Sequence, residues 1–408
     1  MARHEFEQCL RLEAESVPAF RGLLRSERPS PTSAYLYNRL AIAFHGLNRY
    51  LESDSAPHMR LVIAEDFEIA LASVLLERRY QHDTCYDAHE LHTVAIRLFG
   101  DCIDEAFVDA LEEAEHYIWR QVSLLVTVSP GLAEIMTTHR LQEDIVSVPN
   151  FVPKFRADFS PDEGHRPLRC IYAGGAAPYR NVQTLISVWP DNEDAPTLDL
   201  FVPPSQWRDE AEAAVKSNVN IRVNDPVPAK DLVALMSNFD IGILPYAYPH
   251  PYTFASPNKF GEYLAAGLAI VAHPQEFTQR LINQFQVGIC ADLTSVSGVA
   301  SVLSEAQPEY VAACKRNARS AFEASLNWDH AFQAWLVCMQ QVDRSTQSAM
   351  RIRRDGQTSR STSHQMALNG MFDFFLDRLR PALIRLEKTL RRLRLTRWLP
   401  NRLVQRLS

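Results

Sequence analysis

At 408 residues the chain is long enough for two or three domains, and 46% hydrophobic with 22% charged residues is the balance of a globular protein in water. Seven cysteines (Cys9, Cys85, Cys102, Cys170, Cys290, Cys314 and Cys338) stand apart with no CxxC pair, which argues against a disulfide framework or a zinc site and fits a reducing cytoplasmic setting. No apolar run reaches the length of a signal core or of a membrane span, and the net charge of −7 is uneven, because residues 378–408 hold ten Arg or Lys and one Glu, leaving about −16 for everything before.

The chain opens on two helical segments, EFEQCLRLEAESVPAFRGLL and SAYLYNRLAIAFHGLNRYL, with only Gly22 and Gly46 as glycines in residues 1–60. Short runs rich in Val, Ile and Leu then alternate with helical stretches, the pattern of parallel sheets with crossover helices. In the first half the strand candidates are 61–67, 83–89, 124–129 and 145–150; in the second they are 168–175, 197–203, 219–223, 240–246, 268–273 and 287–291. FVPKFRADFSPDEGHRP, between the two sets, is polar and proline-rich and reads as a linker. The expectation is an α/β protein of two facing Rossmann-like domains, 1–152 and 153–343, followed by a flexible linker, 344–366, and a helical tail, 367–408. Ligands of such sheets sit beyond the carboxyl ends of the strands, so the loops after His89, Gly175 and Tyr246 should share a cleft.

CIYAGGAAPYRNVQTLI (170–186) reads as strand, Gly-Gly turn and a helix opened by Pro178. Gly174 and Gly175 allow close backbone approach, helix N–H groups favour an anion, and Arg180 in the first turn adds a forked donor. A tight βα turn accounts for the same letters. SPNKFGEYLAAGLAIVAHP (256–274) marks a second helix, with Ser256 as N-cap, Pro257 at the first position and Gly267 past the end. Lys259 and Glu262, three apart, share a face. A surface ion pair explains that spacing; so does a cation directed at a diphosphate beside a carboxylate directed at ribose hydroxyls. PYAYPHPYTFASPNK (245–259) offers Tyr246, Tyr248, Tyr252 and Phe254 either for stacking on a ligand or for packing a rigid loop.

AGGAAPYRNVQTLI, DPVPAKDLVALMSNFDIGILPY and SPNKFGEYLAAGLAIVA, in that order, resemble the donor domain of GT-B glycosyltransferases of the retaining family-4 type, and CYDAHEL, SLLVTVSPGLAEIM and IVSVPNFV are similar to that family's first domain. The resemblance spans roughly 60–343. It implies a nucleotide-diphosphate sugar as substrate, a glycan or lipid-linked acceptor, and neither a cofactor nor a required metal. It further implies diphosphate contacts from Gly174, Gly175, Arg180, Asn258 and Lys259, a ribose contact from Glu262, and His89 beside the transferred sugar as the catalytic residue. A final helix over 325–342 would cross back to the first domain.

Three features depart from that pattern. The strand and Gly-rich loop that open the family are not visible in residues 1–60, so the first domain reads as reduced. Gly175 stands where an Arg is common, and Phe254 stands where an acidic residue is expected eight positions before Glu262. A catalytically silent binding or scaffold protein on the same fold is therefore an alternative to a hexosyltransferase of polysaccharide biosynthesis, and a nucleotide-sugar epimerase is a remoter one. In the tail, leucines at 379, 383, 386, 390 and 393 form an apolar stripe among arginines. An anionic membrane surface at the inner face of the cell, a short coiled coil and docking on the protein body all fit that stripe; nucleic acid fits poorly.

Overall fold

The computed structural model describes residues 2–340 except 16, 19, 25–29, 54–60, 100–102, 140–144, 157–166 and 250–251. By contacts the chain separates into two units, Met1–Asp343 and Arg344–Ser408, and every described residue belongs to the first. The linker expected at 344–366 and the helical tail expected at 367–408 lie outside the described residues, as does most of the linker expected between the domains.

The N-terminal lobe opens with α1 (Ala2–Glu13), α2 (Phe20–Leu24) and α3 (Pro31–Glu52). Ser30 caps α3, its Oγ accepting from the Ser33 N–H at 3.2 Å, and Pro31 follows where a missing N–H costs nothing. Four parallel strands come next, β1 (Leu61–Ala64), β2 (Asp83–Ala88), β3 (Leu124–Thr127) and β4 (Ile145–Ser147), in that spatial order, linked by α4 (Phe67–Tyr80), α5 (His92–Phe99), α6 (Glu105–Gln121) and α7 (Pro130–Met136). Phe6 and Leu10 of α1 and Leu40 and Phe44 of α3 share one core with Leu71 and Leu76 of α4 and Tyr86 of β2. A helical layer thus buries the apolar surface that further strands would otherwise cover.

The C-terminal lobe is a six-stranded parallel sheet built from β5 (Arg169–Ala173), β6 (Thr197–Phe201), β7 (Ile221–Asn224), β8 (Ile241–Leu244), β9 (Ala269–Ala272) and β10 (Gly288–Cys290). Its order is β10-β9-β8-β5-β6-β7, so the winding reverses between β5 and β8, where open α/β sheets bind ligands. Its helices are α8 (Val182–Val188), α9 (Gln206–Ala214), α10 (Leu232–Met236), α11 (Asn258–Ala265), α12 (Glu276–Phe285), α13 (Val296–Glu305) and α14 (Pro308–Ala324). Tyr263 of α11 is fully buried across β8, its hydroxyl donating to the Ile243 carbonyl at 3.1 Å. Gly242 leaves room for that ring, since a Cβ there would meet it at 2.4 Å.

The two lobes are stitched at one seam. Asn150, just past β4, donates its backbone N–H to Ser256 Oγ at 3.1 Å and its side-chain amide to the Ser256 carbonyl at 3.0 Å. A Cβ on Gly261 would lie 2.8 Å from the Asn150 carbonyl, so α11 seats directly on this crossing segment. The ring of Phe254, in a 3-10 turn before α11, rests on Gly131 of α7, where a Cβ would meet it at 2.0 Å. A last helix, α15 (328–340), starts beside the seam, with the Trp328 N–H donating to the Val152 carbonyl at 3.1 Å. It buries Ala331 and Met339 against Cys85, Leu124, Val126 and Val146 of the N-terminal sheet.

Candidate functional site

The site is built at the switch point between β5 and β8. After β5 the chain opens at Gly174 and Gly175: a Cβ at Gly174 would press on the Tyr172 hydroxyl at 3.0 Å, whereas the space over Gly175 is open. The Tyr172 hydroxyl donates to the Gly175 carbonyl at 2.6 Å and fixes the turn from beneath. Pro178 does not open a helix, as the sequence suggested. Pro178–Arg180 is a single 3-10 turn, Asn181 is left-handed at φ 55°, and α8 begins only at Val182. Asn181 reaches out instead of capping, donating to the Pro245 carbonyl at 3.3 Å and tying this turn to the loop after β8.

Arg180 therefore leaves the turn sideways, into tyrosines. Its Nη1 donates to the Tyr248 hydroxyl at 2.9 Å, and its guanidinium carbon lies 5.1 Å from the ring centre of Tyr246 and 5.2 Å from that of Tyr179. Tyr246 and Tyr248 stack at 5.5 Å with planes 15° apart. The aromatic loop is thus packed, and Tyr246 is buried. Burial raises the Tyr246 pKa first; the charge of Arg180 lowers it, and the charge of Glu262 raises it. The phenol feels both charges, while among the described residues no hydrogen bond or ion pair joins Arg180 to Lys259 or Glu262.

On α11 the expected cap is displaced by one residue. The helix begins at Asn258 with Pro257 at the cap position, because Ser256 Oγ is committed to Asn150 across the seam. Gly267 closes the helix region at φ 68°, a conformation that favours glycine. Asn258 is exposed, while Phe260, Tyr263 and Leu264 point into the core. Lys259 and Glu262 do not reach apart toward two ends of a ligand: Lys259 Nζ bonds Glu262 Oε2 at 2.5 Å, with the two side chains 19% and 21% exposed.

His89 stands in the other lobe, just past β2 and half exposed, with Nε2 3.2 Å from Asp87 Oδ2. That hydrogen bond raises its pKa, desolvation opposes the rise, and the charges of Glu65 and Asp66 past β1 add to it. Among the described residues no hydrogen bond or ion pair joins His89 to Arg180, Lys259 or Glu262. The loop that carries His89 is anchored by a residue the sequence did not reveal. Glu115 of α6, fully buried, accepts from the His92 N–H at 2.7 Å, from the Thr93 N–H at 3.2 Å and from the Thr93 hydroxyl. Burial pushes its pKa up to about 7 despite those donors.

Arg180 in the turn after β5 and the Lys259–Glu262 pair on α11 supply a guanidinium, an ammonium and a carboxylate, a set suited to an anion joined to hydroxyl groups. Among the described residues no cluster of three or more His, Cys, Asp or Glu could hold a metal ion, and no helix is long and apolar enough to cross a membrane.

No protein-family model matches the chain, and no curated protein matches its sequence. Solved structures do match. The sucrose-phosphate synthase of Thermosynechococcus elongatus superimposes with a TM-score of 0.59 at 15% identity, over 75% of this chain and 79% of that one. The α,α-trehalose 6-phosphate synthase of Burkholderia multivorans gives 0.59 at 10% identity, over 84% and 81%. HepE of Anabaena, solved in complex with UDP-glucose, gives 0.53 at 12% identity, over 74% and 82%. The chain has the fold these proteins share, the GT-B fold: an α/β chain of two Rossmann-like domains, the first with four strands among the described residues.

Proposed function

We propose that the protein is a glycosyltransferase of the retaining family-4 type, a hexosyltransferase that moves a sugar from a nucleotide-diphosphate sugar to a glycan or lipid-linked acceptor. The observation that carries this reading is the Arg180 guanidinium held on Tyr246 and Tyr248 where the turn after β5 meets the loop after β8, at the reversal of winding between those strands. Sequence resemblance and the UDP-glucose bound by the structurally similar HepE support it.

In this reading Arg180, Lys259 and the amides of Gly175 and Asn258 take the diphosphate, Gly174 allows close backbone approach while its own N–H stays on the Phe201 carbonyl, and Glu262 accepts from the ribose hydroxyls. The bond from the sugar C1 to the β-phosphate oxygen breaks, and a bond from the acceptor oxygen forms on the same face. The acceptor proton passes to the departing diphosphate. His89, charged more readily because of Asp87, lies on the acceptor side and steadies charge near the transferred sugar. The binding chemistry is assigned to 153–343, the acceptor to 1–152, and the basic tail to an anionic membrane surface.

Thermal-shift and calorimetric screening against UDP-, GDP-, ADP- and dTDP-sugars, followed by transfer assays, tests the reading. Glu262→Ala should weaken nucleotide binding by about 10-fold to 100-fold, the worth of charge-assisted hydrogen bonds. His89→Ala should lower kcat by about 100-fold with a smaller change in KM. Nucleotide binding without transfer to any acceptor, donor hydrolysis or epimerisation would assign the fold a binding role instead, and normal turnover by both variants would overturn the site.

A further inference from the structure

Arg180 is a half-buried cation whose partners are of an unusual kind. Its hydrogen bond runs to a phenol oxygen and its faces meet two aromatic rings, while no carboxylate pairs with it among the described residues. Tyrosine rings lower the cost of removing a guanidinium from water but do not neutralise it, so the charge balance here is incomplete without an anion. The cage is rigid from several sides. Tyr246 is 3% exposed and wedged edge-on against Tyr172 at 6.4 Å, Tyr248 stacks on Tyr246, and Asn181 ties the Arg180 turn to Pro245 at 3.3 Å. The fork has five N–H donors, and the bond to the Tyr248 hydroxyl spends one of them.

We infer that Tyr248, with Tyr246 behind it, is a positioning residue that holds the Arg180 guanidinium as a preformed receptor for the diphosphate of the donor. This rests on the nucleotide-sugar reading above. The phenol oxygen fixes the plane of the fork by accepting from Nη1, the Tyr246 face excludes water from one side, and the remaining donors stay aligned for phosphate oxygens before any ligand arrives. Preorganisation of this kind removes the ordering cost of a long side chain from the binding step. It also explains why the proline-rich aromatic run 245–249 packs so closely around a residue remote in the chain.

The experiment compares wild type, Tyr248→Phe, Arg180→Lys and the double variant in calorimetric titrations with UDP, GDP, ADP and dTDP, each against its parent nucleoside. For whichever diphosphate the wild type binds, Tyr248→Phe should weaken that diphosphate by about 5-fold to 10-fold, the worth of an ordinary intramolecular hydrogen bond. It should leave the nucleoside affinity and the melting temperature unchanged, and in transfer assays raise the donor KM more than it lowers kcat. In the Arg180→Lys background the same substitution should add almost nothing, because the oriented fork it serves is already gone. Equal losses for diphosphate and nucleoside, unchanged diphosphate binding, or additive losses in the double variant would overturn the inference while leaving the nucleotide reading intact. Failure of the wild type to bind any of the diphosphates would remove both.

Discussion

The two lobes solve the same problem with different interiors. The C-terminal sheet carries one large apolar core, and its buried charged pair, Lys315 with Asp240 at 3.3 Å, sits at the foot of β8, next to the start of β5. The N-terminal lobe buries polar groups close to its mouth: Glu115 under the start of α5, Glu68 bonded to Arg39 at 2.9 Å, and His92 stacked on Phe67 at 4.3 Å, its pKa driven down to about 4 by burial. The difference shows where each lobe places its precision. The C-terminal lobe seats α11 by steric fit, with Gly242 shaped around Tyr263; the N-terminal lobe seats the start of α5 by hydrogen bonds to Glu115.

If so, the largest effect belongs to steric fit. Gly242→Val should drive Tyr263 out of its slot and cost about 4 kcal/mol, read as a lowered urea midpoint together with loss of nucleotide binding. Retention of both would break the contrast. Next comes Glu115→Ala, which strands two amides and a hydroxyl and should cost about 3 kcal/mol. Its signature is local: faster amide exchange in β2 and α5 with protection in β5 and β8 unchanged, whereas uniform loss in both lobes would refute it. The same residue sets a pH slope. Its folded pKa of about 7 lies above the ordinary 4.5, so its contribution to stability falls as pH rises from about 4.5 to about 7, while His92, held down to about 4, contributes the opposite slope over much of that window. Glu115→Gln should remove the falling contribution, so that the variant's stability rises more steeply with pH there than that of the wild type. The smallest effect is at the rim: Asp87→Asn removes the main cause of the raised His89 pKa, and the imidazole should titrate at lower pH in a proton NMR titration. An unchanged titration would show that the carboxylates past β1 dominate instead.

Much of this frame was legible in the chain. Each of the ten strand runs contains a strand, because β-branched and leucine-rich stretches bounded by turn residues have few other uses in an α/β protein. Residues 1–60 read as helical, but not that they complete a core, since Phe6 and Phe44 find their partners in α4 and β2. Local rules failed where a distant partner outbid them. Ser256 had every mark of an N-cap, yet Asn150, 106 positions earlier in the chain, claims its hydroxyl. Pro178 promised a helix, yet Asn181 turned left-handed to reach Pro245. The aromatic run at 245–249 gave no hint that it encloses Arg180, 68 residues before Tyr248. Glu115 is one of several acidic residues on α6, and only its depth and its donors separate it from its neighbours.

The bond between Lys259 and Glu262 has a consequence for selectivity among small molecules. A fragment that engages the ammonium alone, or the carboxylate alone, must divorce the couple and abandon its other member in a poorly hydrated recess. A molecule that brings an anionic group and vicinal hydroxyls on one frame re-partners both in a single event. In the proposed nucleotide-sugar site the helix face would therefore act as a threshold that discounts inorganic phosphate and free sugars and answers the two chemistries when they arrive covalently joined.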